Sequence, residues 1–247
     1  MTKFSALPVR EVVGDTEADA DADADQGWPF TLGPVGQMLR SGLQLSSLTM
    51  LVGENGVGKS TIVEAIAMAY GLNAEGGSTH PRHSPRPTES RLHERIRLVR
   101  GLSRSRWGYF LRAETMHGLL TYLEDNPSSY QAETRYHERS HGQAFNELLT
   151  SKVGHMSRAR GGFLVLDEPE AGLSFLSQVT LAHQLAELRK DGIQVLIATH
   201  SPILAATPGA HIVELDDAGF RPREWNQLTT VALYRRFLTD PGYFGLV

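Results

Sequence analysis

A glycine-rich stretch that ends in lysine and serine constrains the fold of this chain more than any other feature. Residues 53–60 are Gly-Glu-Asn-Gly-Val-Gly-Lys-Ser and fit the pattern G-x-x-x-x-G-K-[ST]. The apolar residues 48–52 before the stretch predict a strand, and residues 61–70 after it carry apolar side chains at helical spacing. Backbone N–H groups of such a loop, placed between a strand and a helix, can surround phosphate oxygens. The sequence therefore predicts a phosphate-binding loop.

This loop supplies the first candidate binding residues. The pattern predicts that the Lys59 ammonium reaches the β- and γ-phosphates of a nucleotide and that the Ser60 hydroxyl ligates Mg²⁺. The candidate nucleotide-binding residues of the loop are Gly53, Glu54, Asn55, Gly56, Val57, Gly58, Lys59, Ser60 and Thr61.

Two further apolar runs of strand length end in residues that suit phosphate chemistry. Residues 163–166 lead into Asp167 and Glu168, and residues 193–198 lead to His200. Strands that are apolar on both faces suit a parallel sheet, whose ligands bind at the carboxyl edge. The sequence thus predicts that these polar residues lie near the phosphate-binding loop.

The residue types at this edge suggest their roles. We expect Asp167 to hold Mg²⁺, Glu168 to polarise an attacking water, and His200 to contact the γ-phosphate or that water. Lys59, Glu168 and His200 are therefore the candidate catalytic residues. Ser60 and Asp167 are candidate metal ligands.

The order of predicted elements indicates an α/β fold. A helical pattern at 174–190 separates the two apolar runs, 211–215 can add a strand, and 229–238 can add a closing helix. Residues 130–160 are more polar and mostly helical in pattern. We therefore predict a mostly parallel sheet flanked by helices.

Four motifs in a fixed order carry a family resemblance. They are the loop ending in Gly58-Lys59-Ser60, then Ser140-His141-Gly142-Gln143, then Leu166-Asp167-Glu168-Pro169-Glu170, then Ala198-Thr199-His200-Ser201. In this order they resemble the ABC-type ATPases, and more narrowly the stand-alone bacterial predicted ATPases of the "AAA family". The resemblance spans residue 28 to about residue 215. It implies an ABC-type P-loop NTPase fold with a small helical subdomain, binding of ATP and Mg²⁺, and two ATPs held between two head-to-tail copies.

The resemblance also implies roles for residues outside the loop. Ser140, Gly142 and Gln143 would contact the γ-phosphate bound to the partner copy. Glu114 stands where the family has a glutamine that senses Mg²⁺ and the attacking water, so it is a candidate metal ligand.

Two aromatic residues and one serine match the family less cleanly. Either Trp28 or Phe30 would stack on adenine, and either could instead belong to the core. Ser174 stands where the family usually has an aspartate, and it can cap the next helix. Communication between the two ATP sites is therefore expected to differ from that of the family.

Composition sets the expected domain limits and compartment. Residues 1–27 are expected to form an N-terminal segment, in which alternating Asp and Ala at 18–25 predict a disordered spacer. The family resemblance implies that residues 28–247 form a single ABC-type domain with a helical insert at about 72–160. Zero cysteines exclude disulfides and thiolate metal sites. No apolar run is long enough to span a membrane, and the first residues do not resemble a secretory signal, so we expect a cytoplasmic protein.

An arginine cluster in the insert raises the question of a nucleic-acid partner. Between residues 82 and 106 the sequence has eight arginines, against the two glutamates Glu89 and Glu94; the arginines are Arg82, Arg86, Arg91, Arg95, Arg97, Arg100, Arg104 and Arg106. Such a patch attracts phosphate backbones, but it is equally consistent with a solvated surface stretch. His80, His83 and His93 lack a carboxylate or cysteine at ligand spacing, so they do not predict a metal site.

The sequence leaves several functions open. The first expectation is a Mg²⁺-dependent ATPase that dimerises on ATP and acts on a nucleic-acid or protein partner. The alternatives are an ATP-binding subunit of an ABC transporter and a nucleotide-gated module that recruits an effector with little turnover. A P-loop kinase is less well served by the acidic pair and the histidine. The insert between the first two motifs is too short for long coiled-coil arms and lacks heptads.

Overall fold

Five parallel strands form the centre of the larger of two sheets. The computed structural model describes residues 7–15, 27–73, 77–78, 90–103, 105–112 and 161–246. The parallel strands, in chain order, are β3 (Leu48–Gly53), β6 (Gly108–Arg112), β7 (Gly162–Asp167), β8 (Ile193–Thr199) and β9 (His211–Asp216). Short antiparallel strands, β4 (Gly77–Ser78) and β10 (Gly219–Arg223), lie at the two edges. The strand order is β10-β9-β3-β8-β7-β6-β4, which confirms the predicted mostly parallel α/β sheet.

Alternation along the central strands builds a core on each face of this sheet. On β3, Leu48, Met50 and Val52 belong to one buried cluster and Leu51 belongs to the other. β7 and β8 are buried along their whole length. Both faces must therefore be covered by other elements.

Helices cover both faces. One face carries α2 (Lys59–Tyr70), and the other carries α3 (Phe175–Lys190) and the start of α5 (Thr229–Thr239). Two shorter helices are α1 (Gly33–Ser41) and α4 (Pro202–Ala205), and single 3₁₀ turns span Arg91–Arg95, Trp225–Gln227 and Pro241–Phe244.

A small antiparallel sheet lies beyond α1 and α2. Its strands are β1 (Val9–Gly14), β2 (Leu43–Gln44) and β5 (Ile96–Arg100), in the order β2-β1-β5. The buried Gln194 side chain of β8 ties this sheet to the larger one, because Val9 N donates to its Oε1 (2.9 Å) and its Nε2 donates to Val9 O (2.6 Å).

Strand β1 lies in the stretch that the sequence analysis places outside the ATPase domain. Val9 and Val12 are fully buried in the same cluster as the apolar face of α2. Residues 9–14 thus pack into the same buried cluster as α1 and α2. The physical reason is the pair of buried valines, which complete the core between the two sheets.

The described part of the expected insert contains strands. β4, β5 and β6 all fall between residues 72 and 160. The helical subdomain expected after β6, with Glu114, Ser140, Gly142 and Gln143, lies outside the described residues, as does the acidic spacer at 18–25. Among the residues that are described, none of the helices is both long enough and apolar enough to cross a bilayer.

Candidate active site

The glycine-rich loop connects β3 to α2 at the carboxyl edge of the large sheet. Gly56 and Gly58 have φ angles of +84° and +97°, in the left-handed region that side chains disfavour. An added Cβ at Gly58 would also lie 2.9 Å from Leu32 Cδ1. These two glycines therefore let the loop turn tightly into the first residue of α2.

Lys59 is that first helical residue, and its side chain folds back over the loop. Lys59 is only 3% exposed, and its Nζ donates a hydrogen bond to the backbone carbonyl of Glu54 at 2.7 Å. Burial lowers the pKa of Lys59 from 10.5 to about 8, while nearby carboxylates, with Glu168 the largest contributor, oppose the shift. The loop thus holds a desolvated amine that an anionic ligand would stabilise as the ammonium.

Asp167 ends β7 on the neighbouring part of the same edge. It is 5% exposed, and Arg112 at the end of β6 lies opposite it in parallel register. Arg112 Nε is 3.5 Å from Asp167 Oδ2, and Arg112 Nη1 donates to Glu64 Oε2 at 2.6 Å. Asp167 is therefore held in place by a cation from β6, which is itself anchored to α2.

The donor set here suits a hard divalent cation. Asp167 offers carboxylate oxygens, and Ser60, the second residue of α2, offers a hydroxyl. Mg²⁺ in nucleotide sites uses one or two such oxygens together with phosphate oxygens and water. In the described parts of the chain there is no group of three or more His, Cys, Asp or Glu that could hold a metal by itself. The residues therefore fit a magnesium ion that is bound jointly with a nucleotide.

Glu168 turns out of β7 in an unusual backbone conformation. Its φ is +49°, which is uncommon for a residue with a side chain, and its N–H donates to Ala198 O at 2.9 Å. The turn brings Glu168 Oε1 to 2.9 Å from His200 Nε2. His200 Nδ1 in turn lies 3.5 Å from Lys59 Nζ. The three candidate catalytic residues are thus brought together in the order Glu168, His200, Lys59.

The two neighbours favour one tautomer of a neutral His200 ring. A carboxylate accepts hydrogen bonds and an ammonium donates them. A neutral ring satisfies both neighbours when Nε2 carries the hydrogen and donates to Glu168, and the lone pair of Nδ1 faces Lys59. This arrangement makes His200 a bridge between the phosphate-binding loop and the carboxylate of Glu168.

The two aromatic candidates differ in exposure. Trp28 is 60% exposed, whereas Phe30 packs against the buried cluster beneath α1 and α2. Trp28 thus has the freer ring face for an adenine, and Phe30 has the environment of a core residue.

Ser174, which follows the acidic motif, caps the next helix. The Ser174 hydroxyl accepts a hydrogen bond from Ser177 N at 3.2 Å and caps α3. Next to it, Phe175 and Leu176 are 67% and 73% exposed, so two large apolar side chains stand at the start of this helix.

The described arginines of the basic cluster are mostly on the surface. Arg97 and Arg100 of β5 are exposed, and so is Arg106. The Arg91 guanidinium pairs with Glu94 at 2.8 Å, and the Arg100 guanidinium lies 4.5 Å from the centre of the Tyr70 ring. Arg82, Arg86 and Arg104 lie outside the described residues.

Sequence reasoning missed two residues of the site. Arg112 carries no motif, and only the register of β6 against β7 places it beside Asp167. Glu170 is part of the acidic motif but was given no role; its Oε1 accepts three hydrogen bonds from residues 199–201. The sequence signal for Arg112 is a charged residue at the end of a buried strand. Nothing in the sequence indicates the contacts of Glu170.

Comparisons with known proteins show similarity to ATP-binding proteins. A family model described as "AAA domain, putative AbiEii toxin, Type IV TA system" matches residues 119–206, a range that includes Asp167, Glu168 and His200. An "Uncharacterized ABC transporter ATP-binding protein" of Haemophilus influenzae is 24% identical over 225 residues, with 83% of this chain and 84% of that protein covered. A "Putative ribose/galactose/methyl galactoside import ATP-binding protein 3" of Burkholderia cenocepacia is 27% identical over 185 residues, with 66% of this chain and 34% of that protein covered.

A solved structure gives a weaker likeness. The SMC head domain from Thermotoga maritima has 16% identity and a TM-score of 0.40, with 74% of this chain and 93% of that chain covered. The sequence relatives, the ordered motifs and the parallel sheet with its phosphate-binding loop support an ABC-type P-loop ATPase.

Proposed function

We propose that this protein binds ATP together with Mg²⁺ and hydrolyses it to ADP and phosphate. The observation that carries the proposal is the meeting of Lys59, His200 and Glu168 beside the glycine-rich loop, with contacts of 3.5 Å and 2.9 Å along the series. A phosphate-binding cation and a carboxylate that can activate water thus lie on either side of one imidazole. The similarity to ABC-type ATP-binding proteins supports the same assignment.

Binding uses the loop and the buried lysine. Backbone N–H groups of residues 53–60 surround the phosphates, and Lys59 exchanges its hydrogen bond to Glu54 O for phosphate oxygens. The pKa of Lys59 is lowered to about 8 because burial disfavours the ammonium in the free site. Negative phosphates would offset this desolvation of the ammonium. Trp28 is the aromatic residue that we assign to stacking on adenine.

Ser60 and Asp167 are the residues that would hold Mg²⁺. When bound, the ion neutralises charge on the β- and γ-phosphates and favours departure of ADP. The Arg112 contact at 3.5 Å orients the Asp167 carboxylate before the ion arrives. We keep Glu114 as a further candidate ligand by its place in the family pattern.

Hydrolysis then needs one oriented water. Glu168 accepts a hydrogen bond from this water and takes its proton as the water oxygen bonds to the γ-phosphorus. The bond from the γ-phosphorus to the β–γ bridging oxygen breaks, and ADP leaves with that electron pair. His200 donates from Nε2 to Glu168 and thereby holds the carboxylate in position, while its Nδ1 stays near Lys59.

We further propose that ATP joins two copies head to tail. The support is the order of the motifs: by family resemblance Ser140, Gly142 and Gln143 contact the γ-phosphate held by Lys59 of the other copy. The exposed Phe175 and Leu176, which follow the acidic motif, offer apolar area that such an association can bury.

A second candidate function is that of an ATP-binding subunit of a transporter. The observation in its favour is that both sequence relatives are named as ATP-binding proteins of transport systems. This role predicts a membrane partner chain that co-purifies with the protein. A nucleic-acid partner instead predicts that DNA or RNA stimulates turnover through the exposed arginines among residues 82–106.

The proposal is tested by phosphate release and solution mass, each measured with and without Mg-ATP. Wild type is expected to release phosphate, Lys59→Ala to lose ATP binding, and Glu168→Gln to bind ATP and accumulate as a dimer with little turnover. Glu187→Gln on the exposed side of α3 is the matched control and should behave as wild type. Unchanged activity and monomeric mass in Glu168→Gln would contradict both the assigned role of Glu168 and the ATP-linked dimer. If Glu168→Gln dimerises on ATP but wild type releases no phosphate, the result would favour a nucleotide-gated module over an ATPase.

A further inference from the structure

The carboxylate of Glu170 gathers the backbone that carries His200. Its Oε1 accepts hydrogen bonds from Thr199 Oγ1 at 2.7 Å, from His200 N at 2.6 Å and from Ser201 N at 3.1 Å. These three hydrogen bonds to one carboxylate oxygen are strong, because hydrogen bonds to charged groups are about twice as strong as neutral ones. The end of β8 is therefore fixed by a side chain that follows β7.

The remaining contacts of this turn lead to the same region. Ser201 N also donates to Thr199 Oγ1 at 2.9 Å, and Ser201 Oγ donates to Gln178 Oε1 at 2.6 Å. Gln178 Nε2 then donates to Leu173 O at 3.1 Å, which lies three residues after Glu170. The turn after β8 is thus bonded directly to Glu170 and, through Gln178 of α3, is linked to Leu173.

The position of Glu170 links it to both Glu168 and His200, whose side chains are in contact. It lies two residues after Glu168, and it binds the backbone N–H of His200, whose ring contacts Glu168 at 2.9 Å. A change in this carboxylate moves the His200 backbone relative to Glu168, so the 2.9 Å contact and the ring orientation depend on it. Glu170 Oε2 is buried and has no hydrogen-bond partner among the described residues, so the contacts of the side chain within this region are made through Oε1.

We propose that Glu170 is a positioning residue that sets the orientation of the His200 imidazole for hydrolysis. It acts through the turn at residues 199–201 and does not touch the nucleotide. The inference rests on the proposed ATPase function and deepens it by naming what holds His200 in place.

The test uses two substitutions at one position. Glu170→Ala removes all three acceptor contacts, whereas Glu170→Gln keeps an acceptor oxygen in a side chain of the same length. We expect kcat for ATP to fall about tenfold or more in Glu170→Ala, with KM changed by less than about threefold, and Glu170→Gln to recover most of the loss. Glu187→Ala, which removes an exposed glutamate of α3, is the matched control and should keep the wild-type kcat.

A second measurement reports on His200 without turnover. The ¹⁵N shifts of its imidazole, assigned by their loss in His200→Asn, are recorded in the nucleotide-free protein. We expect the His200 shifts to change in Glu170→Ala, because Nε2 loses its contact with Glu168, and to stay close to wild type in Glu170→Gln. Thr199→Val, which removes one of the three donors in an isosteric side chain, should give a smaller change in the same direction and serves if Glu170→Ala does not fold.

Two results would overturn the inference. One is a Glu170→Ala protein with wild-type kcat and unchanged His200 shifts. The other is equal loss of kcat and ATP affinity in Glu170→Ala and Glu170→Gln, which is the pattern of a general structural role. A wild type without ATPase activity would overturn the proposed function instead, and in that case the imidazole shifts alone would still decide whether Glu170 positions His200.

Discussion

Protonation of Lys59 makes nucleotide binding depend on pH in a way that can be calculated. The pKa of this buried amine is about 8 in the free protein, against 10.5 for an ordinary lysine. Bound phosphates favour the ammonium, so the pKa of Lys59 rises on binding. The sign follows: below pH 8 the amine is already charged, and above pH 8 binding must take up a proton, so ATP affinity falls as pH rises.

The magnitude follows from the same values. At pH 9 about nine-tenths of the free protein has a neutral Lys59, so we expect uptake of about 0.9 proton per ATP and about tenfold weaker binding than at pH 7. If binding restores the pKa to 10.5, the full effect amounts to about 3 kcal/mol, since one pKa unit is about 1.4 kcal/mol.

The assay is titration calorimetry with a non-hydrolysable ATP analogue. Experiments at pH 7, 8 and 9 in two buffers of different ionisation enthalpy give the number of protons taken up. The chain has four lysines, so Lys190→Gln, which changes an exposed one, is the control and should leave the uptake unchanged. Zero uptake at pH 9, or an affinity that is constant from pH 7 to 9, would refute the account of a desolvated Lys59 in the phosphate-binding loop.

Three further predictions concern stability. Lys59→Met should abolish ATP binding yet raise the free energy of unfolding by about 2 kcal/mol at pH 7, because it removes a buried ammonium; chemical denaturation checks this, and a destabilised variant would contradict it. Gly58→Ala should lower that free energy by about 1–3 kcal/mol in the same assay, because of the positive φ and the close approach to Leu32, and an unchanged midpoint would count against the strain. Arg112→Ala should lower that free energy by about 2–4 kcal/mol at pH 7, since the buried Asp167 loses a neighbouring cation; an unchanged denaturation midpoint would contradict this.

Much of the site could be predicted because its signals are local. A glycine-rich loop needs residues that adopt positive φ, and Gly56 and Gly58 occur where the turn requires them. The strands that end at Asp167 and near His200 are apolar on both faces, and this property alone places them inside a parallel sheet. The shared carboxyl edge then brings their polar ends beside Lys59.

The rest depends on contacts between distant parts of the chain. The pairing of Arg112 with Asp167 needs the register of two strands, which no local pattern gives. The three hydrogen bonds to Glu170 depend on how one turn folds against another. The burial of Val9 and Val12 of β1 likewise depends on distant contacts, because they join a core that is formed mainly by residues after position 34.

The central claim is that Lys59, His200 and Glu168 form one site that hydrolyses ATP. A single-turnover experiment, in which radiolabelled γ-phosphate release is followed from ATP mixed with excess protein and Mg²⁺, tests it most directly. We predict release by wild type, and at least about 10²-fold slower release by a Glu168→Gln protein that still binds ATP. Equal rates in the two proteins would contradict the claim, because water activation would then not involve Glu168.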